Sequence, residues 1–154
     1  MYNRRVRISI GADHAGYELK ESIKKALSAR GVTVDDVGTY SGDSVDYPDY
    51  AAEVAGRVVS GQSDRGILVC GTGIGMAMAA NKIQGVRAAP AHDATSARLG
   101  REHNDANVLT LGARLTQTDL ALELVRIFLD TPFEGGRHQR RVDKITALDR
   151  RKDR

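Results

Sequence analysis

The hydrophobic positions of the chain form short apolar runs that alternate with amphipathic stretches. The apolar runs predict five strands, over residues 6–13, 32–38, 66–70, 86–91 and 107–112. Between them, apolar side chains at helical spacing predict helices over 16–29, from Pro48 to about 60, over 74–82 and 93–103, from 116 onward, and over about 137–150. Residues 39–47 are polar and contain glycine, which predicts a loop.

This order of elements predicts an α/β fold. Five strands alternating with helices are typical of a doubly wound, mostly parallel sheet with helices on both faces. No repeat, linker or shift of composition divides the 154 residues, so we expect a single domain over 1–154. Ligands of such folds bind beyond the carboxyl ends of the strands, which makes the residues after each strand the candidates for chemistry.

Composition and charge exclude several classes of protein. No apolar run approaches the ~18 residues of a membrane span, so we expect no membrane role. The first residues lack a signal-peptide pattern, and a lone cysteine forms no internal disulfide. We therefore expect a cytoplasmic protein. The formal net charge is +3, but residues 137–154 carry eight Lys and Arg against three Asp. Because that basic segment contains no interleaved aromatic residues, we expect no nucleic-acid partner.

The segment "CGTGIG", residues 70–75, follows the third strand. Its three glycines allow a close approach of the backbone to a ligand, and the helix that follows favours an anion or a developing negative charge. The segment lacks the later Gly-Lys-Ser/Thr of a Walker A loop and does not match G-x-G-x-x-G. A glycine-rich turn without a ligand remains the alternative.

Cys70, the only cysteine, stands at the start of this segment. It is either a small buried apolar residue or a thiolate, which a helix N-terminus favours, acting as nucleophile or base. Thr72 either donates a hydrogen bond to that sulfur or to a substrate, or caps the helix.

Polar residues also follow other predicted elements. Asp13 and His14 come after the first strand, although Asp13 also suits a helix cap. His103 and Asn104 follow the fourth helix and offer an acid beside a polar neighbour, although this pair is common in loops.

Three arginines near the end of the chain suit a phosphate. Arg114 follows the fifth strand, and Arg137 and Arg141 are spaced i,i+4, so their guanidinium groups share one helical face. Each guanidinium can form two hydrogen bonds to phosphate oxygens. A solvated basic face is the alternative, and His92, His138 and Arg140 receive no role.

Six segments, in this order and spacing, resemble the type B ribose-5-phosphate isomerase family, which also contains galactose-6-phosphate isomerase subunits. They are "GADHAG", "DYPDYA", "CGTGIG", "ANK", "REHNDANVL" and "FEGGRHQRRV", and the similarity extends from about residue 6 to residue 147. The resemblance implies a Rossmann-like three-layer sandwich, a homodimer or homotetramer with active sites shared between subunits, and a C-terminal helix packed at a subunit interface. It also implies isomerisation of ribose 5-phosphate and ribulose 5-phosphate, with no cofactor and no metal.

The same resemblance implies a role for each motif residue. Cys70 would remove the proton from C2 of the sugar, and His103 would open the furanose ring. The enediolate would be held by Thr72 and the backbone amides of Gly71, Gly73, Ile74 and Gly75. The sugar would contact Asp13, His14, Tyr47 and Asn104, and the phosphate would contact Arg114, Arg137 and Arg141. One branch of the family replaces the cysteine by a glutamate after the third glycine; here that position is Met76, which indicates the cysteine-dependent branch.

The substrate stays open at this point. Galactose 6-phosphate, allose 6-phosphate or a tetrulose phosphate are alternatives within the family. A non-catalytic phosphate-binding module built on the same glycine segment is an alternative of another class, but it would not require Cys70, Thr72 and His103 together.

Overall fold

The computed structural model describes residues 5–150 of the chain, and the ends of the predicted domain, with the last four residues of the basic segment, lie outside them. Its strands are β1 Arg7–Ala12, β2 Thr33–Asp36, β3 Arg65–Cys70, β4 Ala88–Pro90 and β5 Val108–Gly112. Its helices are α1 Tyr17–Ala29, α2 Tyr47–Val59, α3 Ile74–Ala80, α4 Ala94–Glu102, α5 Thr118–Asp130 and α6 Arg137–Asp149. Each predicted strand and helix is present, with ends that differ by a few residues.

The five strands form one sheet in the order β2-β1-β3-β5-β4, in which every pairing is parallel. This confirms the predicted α/β class. The carboxyl ends of all strands therefore lie along one side of the sheet, which we call the carboxyl edge. Their amino ends lie along the opposite side, which we call the amino edge. From β1 the chain proceeds outward to β2, whereas from β3 it proceeds toward β5 and β4. The β1–β3 boundary is thus the topological switch point, where folds of this type bind ligands.

The core lies on both faces of the sheet because the side chains of β3 alternate between them. Ile67 and Val69 join a buried cluster with residues of α1, α4 and α5, whereas Leu68 and Cys70 join a second cluster with residues of α2 and α3. Full burial of each large aliphatic side chain in these layers contributes about 1.5–3 kcal/mol.

Two predicted helices differ in detail from the structure. Helix α5 begins at Thr118 rather than at Thr116, because the backbone N–H of Thr116 is bonded to the carbonyl of Gly112 in the turn after β5. Helix α6 has the predicted apolar face, but only Val142 is buried in the chain, and Ile145 and Leu148 are 44% and 52% exposed. Within residues 5–150, no helix combines the length and the apolar character that a membrane crossing requires.

Candidate active site

The glycine segment forms the tight connection between β3 and α3. Gly73 adopts a left-handed backbone conformation (φ 78°), which glycine reaches without steric cost, and it turns the chain so that its N–H points back toward Cys70. That N–H donates to Cys70 Sγ at 3.2 Å. The Gly73 carbonyl in turn accepts a hydrogen bond from Thr110 Oγ1 at 2.8 Å, so β5 fixes the turn. Cys70 is 4% exposed and belongs to the cluster between the sheet and helices α2 and α3.

Thr72 lies half-buried in this turn, between Gly71 and Gly73. Its Oγ1 accepts the N–H of Ile74 at 3.2 Å. This bond lies within the turn before α3, whose cap residue is Gly73, so the structure does not make Thr72 the helix cap. The hydroxyl hydrogen stays available for a ligand, because the oxygen is the acceptor in this bond.

Two side chains from other elements close over the glycine segment. A β-carbon at Gly75 would lie 2.7 Å from the ring of Tyr47, so only glycine allows the first residue of α2 to approach α3 this closely. On the other side, Arg114 donates its backbone N–H to the Gly71 carbonyl at 3.0 Å, and its guanidinium lies against Gly71. Tyr47 and Arg114 thus flank the segment, both with exposed side chains.

Asp13 and His14 lie beside Cys70 at the switch point. The Asp13 backbone N–H donates to the Val69 carbonyl at 3.2 Å, which joins the ends of β1 and β3. The Asp13 carboxylate is buried and accepts the Gly16 N–H at 3.0 Å, as a residue before a helix does. His14 Nδ1 accepts the N–H of Val45 at 3.2 Å and so ties down the loop that leads to Tyr47.

The remaining predicted site residues lie elsewhere. His103 caps the carboxyl end of α4 directly after Glu102, and Asn104 follows it, so both precede β5 at the amino edge of the sheet. Arg137 and Arg141 are exposed on α6, whose start is joined to the end of α4 by the Glu134 N–H, which donates to the Glu102 carbonyl at 3.1 Å.

The predicted site is therefore divided between two edges of one chain. Cys70 pairs with Gly112 at the carboxyl end of β5, and His103 and Asn104 precede Val108 at its amino end. With a rise of ~3.3 Å per residue, β5 alone separates the two groups by about 13 Å. A sugar phosphate of five carbons does not reach from one group to the other through the sheet.

His138 is a buried residue that the sequence left without a role. Its ring stacks on the ring of His103, with centroids 4.2 Å apart and planes 13° from parallel. Its Nε2 lies 3.4 Å from Glu134 Oε2, and the residue is 5% exposed. A histidine inside the basic stretch "RHQRR" carries no sign of burial in the sequence, because the residues around it are solvated; the i,i+4 spacing of Glu134 and His138 is the only available signal.

Comparison with known proteins identifies the relatives of the chain. The family model described as Ribose/Galactose Isomerase matches residues 8–145. Ribose-5-phosphate isomerase B of Escherichia coli is 48% identical over 96% of this chain and 99% of its own. D-erythrulose-4-phosphate isomerase of Pectobacterium atrosepticum is 45% identical over 90% of this chain and 91% of its own. The structure of Clostridium thermocellum ribose-5-phosphate isomerase B superimposes with a TM-score of 0.95 and 50% identity, over 96% of this chain and 99% of that one.

Proposed function

Because the chain belongs to the ribose/galactose isomerase family and is a sugar phosphate isomerase, we propose that it interconverts ribose 5-phosphate and ribulose 5-phosphate through a cis-enediolate. The observation that carries the proposal is the sulfur of Cys70, held by the Gly73 N–H at the switch point of the sheet. This hydrogen bond fixes the sulfur at the start of the glycine segment, beside the backbone amides that follow it.

Cys70 is the base of the reaction in this proposal. The thiolate takes the proton from C2 of the open-chain aldose, the C2–H electron pair forms the C1–C2 double bond, and the C1=O π pair moves onto O1 as the oxyanion. The resulting thiol then gives its proton to C1 through the pair of that double bond, while the hydroxyl proton on O2 moves to O1 and the O2–H pair forms the ketone at C2. Aldose and ketose are isomers, so no external oxidant or reductant is needed. General-base catalysis of this kind contributes about 10²- to 10⁴-fold in rate.

The glycine segment stabilises the enediolate. Its oxygens face the amides of Gly71 and Gly75 and the hydroxyl of Thr72, and fixed donors of this kind typically contribute about 10²- to 10³-fold each. The N–H groups of Gly73 and Ile74, which were also expected to hold the enediolate, already donate to Cys70 Sγ and Thr72 Oγ1 and support the turn instead. Asp13, His14 and Tyr47 contact the sugar from the surrounding loops. The proposal is supported by the position of these residues around one turn.

His103 opens the furanose ring, and Asn104 orients the sugar beside it. His103 moves a proton from the O1 hydroxyl to the ring oxygen O4 as the C1–O4 bond breaks. Arg114, Arg137 and Arg141 bind the phosphate, which positions the reacting carbons without altering their electronic structure.

We further propose that the active site is composed of two copies of the chain. The carboxyl edge of one copy supplies Cys70 and Arg114, and the amino edge of its partner supplies His103, Asn104 and the two arginines of α6. In a two-fold dimer each copy gives both halves, so two complete sites form. The division of these residues between two edges of one chain supports this assembly.

Helix α6 packs at the subunit interface in this proposal. The exposed side chains of Ile145 and Leu148 line a groove of about 440 Å³ together with Val86 and Asn104, beside the edge strand β4. Apolar side chains around an open groove are typical of a surface that a partner covers. The single domain 1–154 is the unit of assembly in this proposal. The proposed place of the reaction is the cytoplasm.

A panel assay tests the substrate assignment. The purified protein is given ribose 5-phosphate, galactose 6-phosphate, allose 6-phosphate and erythrulose 4-phosphate, and ketose or aldose formation is followed for each. We expect the highest kcat/KM for ribose 5-phosphate. The tetrulose phosphate is the second candidate, because a relative 45% identical to this chain is a D-erythrulose-4-phosphate isomerase; a tenfold preference for it would overturn the pentose assignment.

A further inference from the structure

The stacked pair of His103 and His138 is the most unusual contact outside the glycine segment. Face-to-face rings with centroids 4.2 Å apart are closer than the 4.5–7 Å of most aromatic pairs. The two residues belong to different helices, because His103 ends α4 and His138 lies in the first turn of α6. His138 is the buried member, and His103 is only half-buried.

Backbone hydrogen bonds fix the two segments that carry these rings. The His103 N–H donates to the Leu99 carbonyl at 2.9 Å, and the His138 N–H donates to the Gly135 carbonyl at 3.0 Å. The Glu134 N–H joins the two segments through the Glu102 carbonyl. The carboxylate of the exposed Glu134 lies 3.4 Å from His138 Nε2.

The same three side chains resemble a metal site, since donor atoms of His103, Glu134 and His138 all lie within 4.8 Å of one another. The orientation of the rings argues against that function. An imidazole nitrogen binds a metal in the plane of its ring at about 2.0–2.1 Å. Two nearly parallel rings direct their lone pairs side by side rather than toward a common point, so a shared metal would require one ring to rotate and the stack to separate.

We propose that His138 is a positioning residue for His103, a proposal that rests on the function of His103 in ring opening. The torsion that rotates an imidazole about its Cβ–Cγ bond has broad minima, so a half-exposed histidine samples many ring planes. A buried ring stacked on one face leaves one plane accessible. The nitrogen that gives a proton to the ring oxygen is thereby held at a fixed direction, and a misplacement of about 1 Å in such a group can cost 10²-fold in rate.

The stack predicts which replacements preserve function. His138→Phe keeps a flat ring of similar size and loses only the contact with Glu134. His138→Gln keeps an amide near the position of Nε2, within reach of Glu134, but has no ring. If stacking is the operative contact, phenylalanine replaces His138 and glutamine does not; if the polar contact is operative, the order is reversed.

The test measures kcat and KM for ribose 5-phosphate in H138F, H138Q and H138A, with the melting temperature of each. We expect kcat to fall about 10- to 100-fold in H138Q and H138A with KM within threefold of the parent, and H138F to keep kcat within about threefold. In the background of His103→Asn, H138A should cause no further loss, because residues that act through one group are not additive. Parental kcat in H138Q, or an equal loss from H138A in both backgrounds, would overturn the proposal.

A measurement without substrate separates this proposal from the proposed function. The Cε1–H resonance of His103 in a ¹³C-labelled protein reports the ring stacked on it. We expect that resonance to shift and broaden in H138A and H138Q and to stay sharp in H138F. If the parent does not turn over ribose 5-phosphate but the resonance behaves so, the positioning contact stands and the substrate assignment fails. An unchanged resonance in H138A shows that His138 does not position His103.

Discussion

Cys70 and His103 lie at opposite edges of the same sheet, Cys70 at the carboxyl end of β3 and His103 just before the amino end of β5. A reaction that needs both side chains at one substrate therefore needs two copies of the chain. The first prediction follows from this separation. Cys70→Ala and His103→Asn are each expected to be nearly inactive, and mixing them under conditions of subunit exchange should restore activity.

The size of the restored activity is fixed by symmetry. Random exchange makes half of the dimers heterodimers, and each heterodimer has one site with both parental residues and one site with neither. Activity should therefore reach about a quarter of the parental value per chain. Steady-state rates of the mixture against those of each variant alone provide the measurement, and a mixture no more active than its components would contradict a shared site.

The second prediction concerns Cys70 itself. Cys70→Ala should lower kcat by about 10²- to 10⁴-fold, because the base that takes the C2 proton is removed. Cys70→Ser keeps the volume of the side chain, but a hydroxyl is a far weaker source of an anion at neutral pH, so it should fail similarly. Exchange of the C2 deuteron of labelled ribose 5-phosphate with solvent measures the same step directly; an unchanged exchange rate in both variants excludes Cys70 as the base.

Much of this architecture could be predicted from the sequence. The apolar run of β3 and the glycines after it identify the central strand and its turn, because a strand buried on both faces contains little else. The hydrogen bond from the Gly73 N–H to the Cys70 sulfur could not be predicted from the sequence, because the turn conformation that creates it depends on Thr110 in β5.

The burial of His138 and the exposure of Ile145 show where the pattern fails. Both lie on α6, and helical spacing assigns the apolar residues of that helix to one face without saying what covers it. Within the single chain, Val142 is the only apolar residue of that face that is buried. The other buried residue of α6 is His138, which stacks on His103. Which residue of α6 is covered depends on how α6 meets α4, and local spacing does not encode that contact.

The third prediction tests the phosphate residues on α6. Arg141→Ala should raise KM for ribose 5-phosphate about 10- to 100-fold, since a hydrogen bond to a charged group contributes about 1.5–3 kcal/mol. Arg140→Ala is the matched control: it removes the same charge from the adjacent exposed position, about 100° around the helix from Arg141. Equal KM values in the two variants would exclude a specific phosphate contact at Arg141.

The fourth prediction concerns the close approach of Tyr47 to the glycine segment. Gly75→Ala would place a β-carbon 2.7 Å from the Tyr47 ring and must displace that ring. We expect kcat/KM to fall at least tenfold, because a displacement of about 1 Å near the reacting atoms is costly. Gly56→Ala, also within a helix but with no atom near its β-carbon, should leave kcat/KM unchanged and stabilise the fold by about 0.5–1 kcal/mol. Parental kcat/KM in the Gly75 variant would show that Tyr47 does not define the pocket.

The fifth prediction concerns Asp36, which anchors the end of β2 through Lys20. The Lys20 side chain is fully buried, and its Nζ donates to both carboxylate oxygens of Asp36 at 2.8 and 2.6 Å. Burial by itself raises the pKa of Asp36, but the hydrogen bonds from Lys20, Lys24 and the Gly38 N–H outweigh it and hold the pKa below its ordinary value. Asp36→Asn should cost about 3 kcal/mol at pH 7, because the buried Lys20 ammonium then keeps only the half-exposed carboxylate of Glu21, 3.2 Å away.

The sign of the pH dependence distinguishes this pair from a surface contact. A carboxylate whose pKa is lower in the folded than in the unfolded chain stabilises the fold fully above its unfolded pKa, near 4, and loses that contribution as the pH falls through the lowered value. Urea unfolding between pH 7 and pH 2.5 should therefore show a steep loss of stability in the parent and a shallower one in Asp36→Asn. Asp35→Asn, which breaks an exposed pair with Arg57, should lower stability by about 0–1 kcal/mol and keep the parental slope. Parallel curves for the parent and Asp36→Asn would mean that the carboxylate of Asp36 is not what makes this fold sensitive to acid.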